Sequence, residues 1–125
     1  MPVTTEKLHD QPIIVSRLQG RFSAREADVL LHQCVDMADG IDGPVYHITD
    51  LTDAEISLLD MPVVVNTLRA EVPGSTADPR FINVFIGNAR TSRLYADIFR
   101  KQISDGLPFF TDVDSALAYI GAQSA

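Results

Sequence analysis

The sequence predicts an α/β sandwich with element order β-β-α-β-α-β-α-β-α, a mixed, mostly parallel sheet flanked by helices. Three observations carry this. A chain of 125 residues, 46% of them hydrophobic, matches one core, so residues 1–125 read as a single domain and a two-lobed enzyme is excluded. Short β-branched runs alternate with segments whose apolar residues recur every three or four positions. Ser, Asp, Gly and Pro punctuate the boundaries between them.

Residues 4–8 make a short first strand, His9–Asp10–Gln11–Pro12 a turn, and residues 13–19 a second, β-branched strand, together a hairpin. Gly20 is expected to end the pairing. Ser23–Ala24–Arg25–Glu26 has the S-x-x-E form of a capping box, in which hydroxyl and carboxylate satisfy orphan N–H groups at a helix start. The helix that follows carries Ala27, Leu30, Leu31, Cys34, Met37 and Ala38 on one stripe, and Gly40 suits its stop.

Residues 44–49 form the third strand, which runs out into the acidic stretch Asp50–Leu51–Thr52–Asp53–Ala54–Glu55. Asp60 is placed as N-cap of a second helix reaching about Glu71, with Pro62 in the first turn and Val64, Val65 and Leu68 inward. The loop at 72–79 is the natural seat of mobility. Phe81–Ile86 is nearly continuous apolar, as in a central strand covered on both faces. Gly87–Asn88 breaks it. A third helix from Ala89 to about Ile103 turns Leu94, Tyr95, Ile98 and Phe99 inward and Arg90, Arg93, Asp97, Arg100 and Lys101 outward. Residues 107–110 are a last strand, and Thr111–Asp112–Val113–Asp114 caps a helix with Val113, Ala116, Leu117 and Ile120 on its stripe.

The net charge of −7 is unevenly spread. Nine acids and no Lys or Arg lie between Glu26 and Asp60, whereas five bases face the single acid Asp97 between Arg80 and Lys101. An acidic chain argues against a nucleic-acid partner. No apolar run approaches the roughly 20 residues of a membrane span. The segment Met1–Pro2–Val3–Thr4–Thr5–Glu6–Lys7 has no basic-then-apolar signal pattern, so a cytoplasmic location is expected. One cysteine, Cys34, can form neither an internal disulfide nor a Cys-rich zinc site; on its apolar stripe it reads as a packing residue.

No catalytic constellation can be assembled, so no enzyme and no cofactor is expected. The acids Asp50, Asp53, Glu55 and Asp60 gather after a parallel strand, where open α/β sheets place ligands. They offer hard oxygen donors for Mg²⁺ or Ca²⁺, or else form a solvated acidic loop with one cap. His9, His32 and His47 are scattered over a turn, a helix and a strand, and His47 reads as a hydrogen-bonded, half-buried strand residue rather than a general base. Glycine-loop and nucleophile-elbow motifs are absent from the sequence. Gly87–Asn88–Ala89 leads a strand into a helix start bearing Arg90 and Arg93, which suits contact with a phosphate or an acidic partner, or an ordinary charged face in which Asp97 pairs with Arg93 or Lys101. A phosphorelay receiver needs an acidic pair after its first parallel strand and a lysine after its last; Gly20–Arg21–Phe22 and Phe110–Thr111–Asp112 supply neither.

Several stretches have a familiar arrangement: Leu18–Gln19–Gly20–Arg21–Phe22–Ser23 with Glu26 early in the helix; Val45–Tyr46–His47–Ile48–Thr49–Asp50–Leu51–Thr52; Phe81–Ile82–Asn83–Val84–Phe85–Ile86–Gly87; and the ending Phe110–Thr111–Asp112–Val113–Asp114–Ser115–Ala116–Leu117. With the element order, these resemble the STAS superfamily and its SpoIIAA-like group of small stand-alone bacterial domains, over about residues 3–122. The resemblance implies a regulatory or interaction module. In its anti-sigma factor antagonist branch, a serine in an Asp-Ser-Ser/Thr-Gly motif at the second helix is phosphorylated and the phosphate abolishes partner binding. That motif is missing: Glu55–Ile56–Ser57–Leu58–Leu59–Asp60–Met61–Pro62 holds Ser57 alone, between Glu55 and Asp60.

The expectation is therefore a non-catalytic module that binds a protein partner or a second copy of itself, through Asp50, Asp53, Glu55, Ser57, Asp60, Arg90 and Arg93 or through the edge strand of the hairpin. The alternative is a small apolar-ligand or lipid-binding domain of the same fold, with a cavity lined by Phe81, Phe85, Phe99 and Phe109.

Overall fold

The computed structural model describes residues 3–8 and 10–124; His9 and its place in the turn fall outside them. Five strands form one sheet in the order β1-β2-β3-β4-β5. β1 (Val3–Lys7) and β2 (Ile13–Arg21) pair antiparallel, and β2, β3 (Val45–Glu55), β4 (Phe81–Ile86) and β5 (Phe109–Phe110) run parallel. Helices α1 (Ala24–Ala38), α2 (Met61–Arg69), α3 (Arg90–Gln102) and α4 (Val113–Ser124) complete the order read from the sequence.

Strand alternation divides the core into two layers. On one face Ile14, Val45 and Phe81 meet Cys34 and Ala38 of α1. Beside them Leu18, Leu51 and Phe85 meet Leu30 and Leu31 of α1, Val64 and Leu68 of α2, and Tyr95 and Phe99 of α3. On the other face Ile13, Val15, Ile48, Val84 and Ile86 meet Ala116 and Ile120 of α4, with Val113, Leu117 and Tyr119 of the same helix packed around them. Three helices thus cover one face and one covers the other. That single helix does not reach Ile82, which stays 38% exposed, so β4 is not sealed on both sides as its composition suggested.

Local chemistry explains most boundaries. At the start of α1 the Glu26 carboxylate accepts the Ser23 N–H at 3.1 Å and the Ser23 hydroxyl at 2.7 Å, and these bonds hold its pKa below the ordinary value. Gly40, with φ +87, follows the α1 cap in the left-handed region. Asp112 Oδ1 accepts the Ser115 N–H at 2.7 Å and so caps α4. At Gly87 a Cβ would lie 2.5 Å from the Ser92 side chain, whose hydroxyl donates to Ala89 O and accepts the Ala89 N–H. Only glycine fits that turn.

Several expectations are corrected. β3 does not stop at Thr49 but continues to Glu55, because β2 continues beside it: Gly20 pairs with Ala54 and Arg21 with Glu55. α2 ends at Arg69 rather than Glu71, where Thr76 donates from both its N–H and its hydroxyl to Leu68 O at the last turn. Those bonds also tie down the 72–79 loop, as do Asp78, accepting the Gly74 and Arg80 N–H groups, and the fully buried Ser75. Met37 and Leu94, placed on core stripes, are 39% and 53% exposed, because each sits at the margin of its stripe while Ala38 and Tyr95 take the inward positions. β5 is only two residues long.

Candidate functional site

The acids expected in a loop after β3 lie instead largely on β3 itself. The β2–β3 register shifts between Arg17 and Gln19, and there the Asp50 carboxylate accepts the Thr52 N–H at 2.9 Å. Asp50 is thereby occupied in patching a bulge. Beyond it Ala54 and Ile56 are buried, while alternation leaves Asp53 and Glu55 exposed on the opposite side. The Ile56 N–H donates to the Tyr95 hydroxyl oxygen at 2.9 Å, which fastens the strand end to α3.

The chain then turns sharply into α2. Asp60 holds the N-cap position without capping. Ser57 performs that work: its hydroxyl oxygen accepts the Asp60 N–H at 3.0 Å, and its carbonyl accepts the Met61 N–H at 2.9 Å. The Asp60 carboxylate is held by Arg21 at 3.3 Å, a basic neighbour absent from the sequence reading of this region. The same turn drives Leu58 and Leu59 outward, 84% and 91% exposed, beside Val63 at 52%. Behind them a groove of about 280 Å³ runs between α2 and α3, lined by Leu58, Met61, Pro62, Val65, Asn66, Ile98 and Gln102. Isolated exposed leucines are ordinary on soluble proteins. Two adjacent ones at the lip of an apolar groove form a patch.

Arg90 and Arg93 stand exposed at the start of α3. The turn before them lies against β3, with the Cβ position of Gly87 3.5 Å from Thr52 N. The acidic and basic segments, far apart in sequence, thus meet at one end of the sheet. The expected pairing of Asp97 with Arg93 or Lys101 is not made. Nor are all five bases of that segment free, since Arg80 donates to Ala38 O and Ile41 O at the end of α1, and Arg100 Nε donates to Leu107 O.

A second polar cluster has no local mark in the sequence, because strand pairing and the packing of α1 against β1 assemble it. Ser16 Oγ lies 2.8 Å from His47 Nε2 and 3.0 Å from Thr5 Oγ1, and Thr5 donates to Gln33 Oε1 at 2.7 Å. The Ser16–His47 pair has the residue types of a nucleophile and its base. Both are sealed in the core, and burial lowers the His47 pKa to about 4. A base needs access to substrate, and this one has none. Burial likewise pushes the Cys34 thiol up to about 12, which fits a packing residue. His32 is exposed on α1, bonded to Asp28 O, and the described histidines do not converge. Among the described residues no group of three or more His, Cys, Asp or Glu is placed to hold a metal ion, and no helix is long and apolar enough to cross a membrane.

The aromatics named for an apolar-ligand cavity fill the core instead. Phe81, Phe85 and Phe99 are buried, Phe109 packs against the cluster that holds Phe85 and Phe99, and those two rings lie 5.4 Å apart between centroids. The void beside Phe85 and Phe99, lined also by His47, Thr49 and Asn83, measures about 10 Å³, room for one water and no lipid.

An antiparallel hairpin feeding a parallel run of strands, with three helices on one face and one on the other, is a SpoIIAA-like fold. No family model and no curated protein matches the sequence; the likeness is one of three-dimensional fold. An uncharacterised DUF3478-family protein with a SpoIIAA-like fold from Shewanella loihica superposes with a TM-score of 0.60 at 16% identity, over 94% of this chain and 90% of that one. An anti-sigma factor antagonist from Mycobacterium paratuberculosis superposes with a TM-score of 0.56 at 18% identity, over 94% and 91%.

Proposed function

We propose that this domain is a non-catalytic regulatory module that works by docking a protein partner on the surface around the β3–α2 turn. The observation that carries the reading is the adjacent pair Leu58 and Leu59, exposed at 84% and 91%, the first of them lining the α2–α3 groove. Each leucine buried by a partner contributes about 1.5–3 kcal/mol, while each left in water contributes nothing to the fold. The anti-sigma factor antagonist among its neighbours in fold belongs to the same functional class, regulation through protein contact. Charge at this end is built in, since Asp53 and Glu55 stand exposed on the strand that leads into the turn, and Ser57, the one hydroxyl there, is engaged in it.

The test is affinity purification of partners from the source cells, followed by calorimetry on the partner identified. Leu58→Glu with Leu59→Glu is expected to weaken binding at least about tenfold, by loss of apolar burial. Unchanged affinity overturns the assignment of this surface.

A further inference from the structure

The sheet ends unevenly at β4. β5 pairs only with Phe85 and Ile86, so β4 from Phe81 to Val84 has no strand on its outer side. The cause is local: the chain enters β5 through Gly106–Leu107–Pro108, and Pro108 has no N–H to carry the ladder back along β4. In a parallel ladder successive residues turn their N–H and C=O to opposite sides. Val45 N–H donates to Arg80 O on the β3 side, whereas Phe85 N–H donates to Pro108 O and Gly87 N–H to Phe110 O on the β5 side. Asn83 belongs to the second set. Its N–H and C=O therefore face the unpaired edge, as does the Phe81 C=O, while the Phe81 N–H is taken by Asp78 O.

That edge lies in a groove of about 490 Å³, where Phe81 and Asn83 meet Thr76 of the 72–79 loop, Arg69 at the end of α2, and Ser104 and Leu107 beyond α3. The volume is that of a ligand cleft, roughly 300–1,000 Å³. Its walls are held in place. Arg69 Nη1 donates to Gln102 O at 2.9 Å, which ties α2 to α3, and Arg100 Nε donates to Leu107 O at 3.1 Å. Arg69 is exposed, makes no salt bridge among the described residues, and is the one charged side chain in the lining. The rest of its guanidinium is free to donate to a carboxylate. The Asn83 amide, half-buried beside it, makes no hydrogen bond to any described residue.

Unpaired N–H and C=O groups along a strand edge match one chemistry, the alternating donors and acceptors of extended backbone. We propose that this groove takes a short extended peptide of a partner protein, which adds to the β4 edge in line with β5 through hydrogen bonds to Asn83 and Phe81 and sets a carboxylate against Arg69. The carboxylate is that of an acidic side chain or of a chain end. With so few main-chain bonds and one ion pair the contact is weak, its dissociation constant on the order of 0.1–1 mM. The site lies at the opposite end of α2 from Leu58 and Leu59, so it stands or falls independently of the β3–α2 docking surface.

Backbone-amide NMR reads the site directly, with acetyl-Val-Thr-Glu-Thr-Val-amide, its Gln counterpart, and acetyl-Val-Thr-Val bearing a free carboxylate as probes. In the free protein the Asn83 amide is expected to exchange with solvent faster than that of Val84, which β3 pairs. Adding either carboxylate peptide to about 5 mM is expected to shift the amides of Phe81, Asn83, Ser104 and Leu107 and to slow exchange at Asn83, with the Gln counterpart at least about fivefold weaker. Binding of the Glu peptide alone identifies an internal acidic segment, and binding of the free-ended peptide alone a chain end; either supports the proposal. Methylating the peptide's backbone nitrogens is expected to weaken binding to the unaltered protein at least about fivefold, by removing donors to the edge carbonyls. Arg69→Gln is expected to abolish the preference for a carboxylate while the Gln peptide binds as before. No shift at these amides with either carboxylate peptide, an Asn83 amide left unprotected by bound peptide, equal binding of the methylated peptide, or a carboxylate preference that survives Arg69→Gln overturns the proposal. Partner binding lost in the Leu58→Glu, Leu59→Glu variant bears on the other surface alone.

Discussion

Two clusters in this domain invert the usual distribution of polarity. Ser16, His47, Thr5 and Gln33 place a hydrogen-bonded polar chain under the sheet, while Leu58, Leu59 and Val63 stand in water. The first is closed: every buried side-chain nitrogen and oxygen among the described residues has a partner. The second is open. A satisfied polar network inside a core specifies register, because slipping β3 against β2 by one residue would strand His47 among apolar groups. An unsatisfied apolar patch outside contributes nothing until something covers it. The contrast separates residues that hold the fold from residues available for function.

The largest expected effect breaks the closed cluster by acid. The imidazole of His47 is held to about 4 against an ordinary 6.5. The unfolded chain takes up that proton first, so the contribution is complete above pH 6.5 and is lost as pH falls toward 4, a total of about 3 kcal/mol. Glu26 and Asp112, whose carboxylates are held low by hydrogen bonds, lose their contributions only below their ordinary values of 4.5 and 3.8, so the upper part of the window belongs to His47. His32, raised and exposed, acts with the opposite sign and weakly. Urea melts from pH 7 to 4.5 are expected to show falling stability, and His47→Gln, whose amide keeps a donor for Ser16 in place of the Nε2–H, to flatten that fall. An equal slope in both proteins refutes the account.

Next in size is Ser16→Ala. It removes the hydroxyl that joins His47 Nε2 to Thr5 Oγ1 and leaves a buried ring nitrogen without that partner. The expected loss is about 1–3 kcal/mol, read as a lower urea midpoint at unchanged slope. A loss below about 0.5 kcal/mol would make the buried chain incidental.

How far each cluster was legible in the sequence follows from how local its causes are. Element order, the Ser23–Glu26 box, the Gly40 stop and the Asp112 cap are set by neighbours within four residues, and all are present. The far end of β3 is illegible because Asp50, Thr52 and Asp53 look like turn residues, and only pairing of Gly20 with Ala54 and Arg21 with Glu55 holds them extended. Asp60 has the composition of a cap, yet Arg21, distant in sequence, takes its carboxylate and Ser57 does the capping. Arg80 looked like part of a basic stripe until α1 presented it with open carbonyls. His47 and Ser16 carry no local mark of their contact. The acidic end is legible in the sequence, but the exposure of Leu58 and Leu59 within it is not, since exposure is a property of the turn and not of the residue type.

The smallest effect on stability is expected at the open cluster, and it is the most informative about function. Asp53→Lys with Glu55→Lys changes two exposed side chains that make no salt bridge within the described chain. Stability is expected to move by no more than about 0.5 kcal/mol. Binding to an identified partner is expected to change through its association rate, with a reduced dependence on salt, because rim charges steer encounter more than they hold the complex. Stopped-flow association at two ionic strengths reads both quantities. Equal rates for parent and variant at low salt would make the acidic rim solubilising surface only, and leave Leu58 and Leu59 as the working part of the patch.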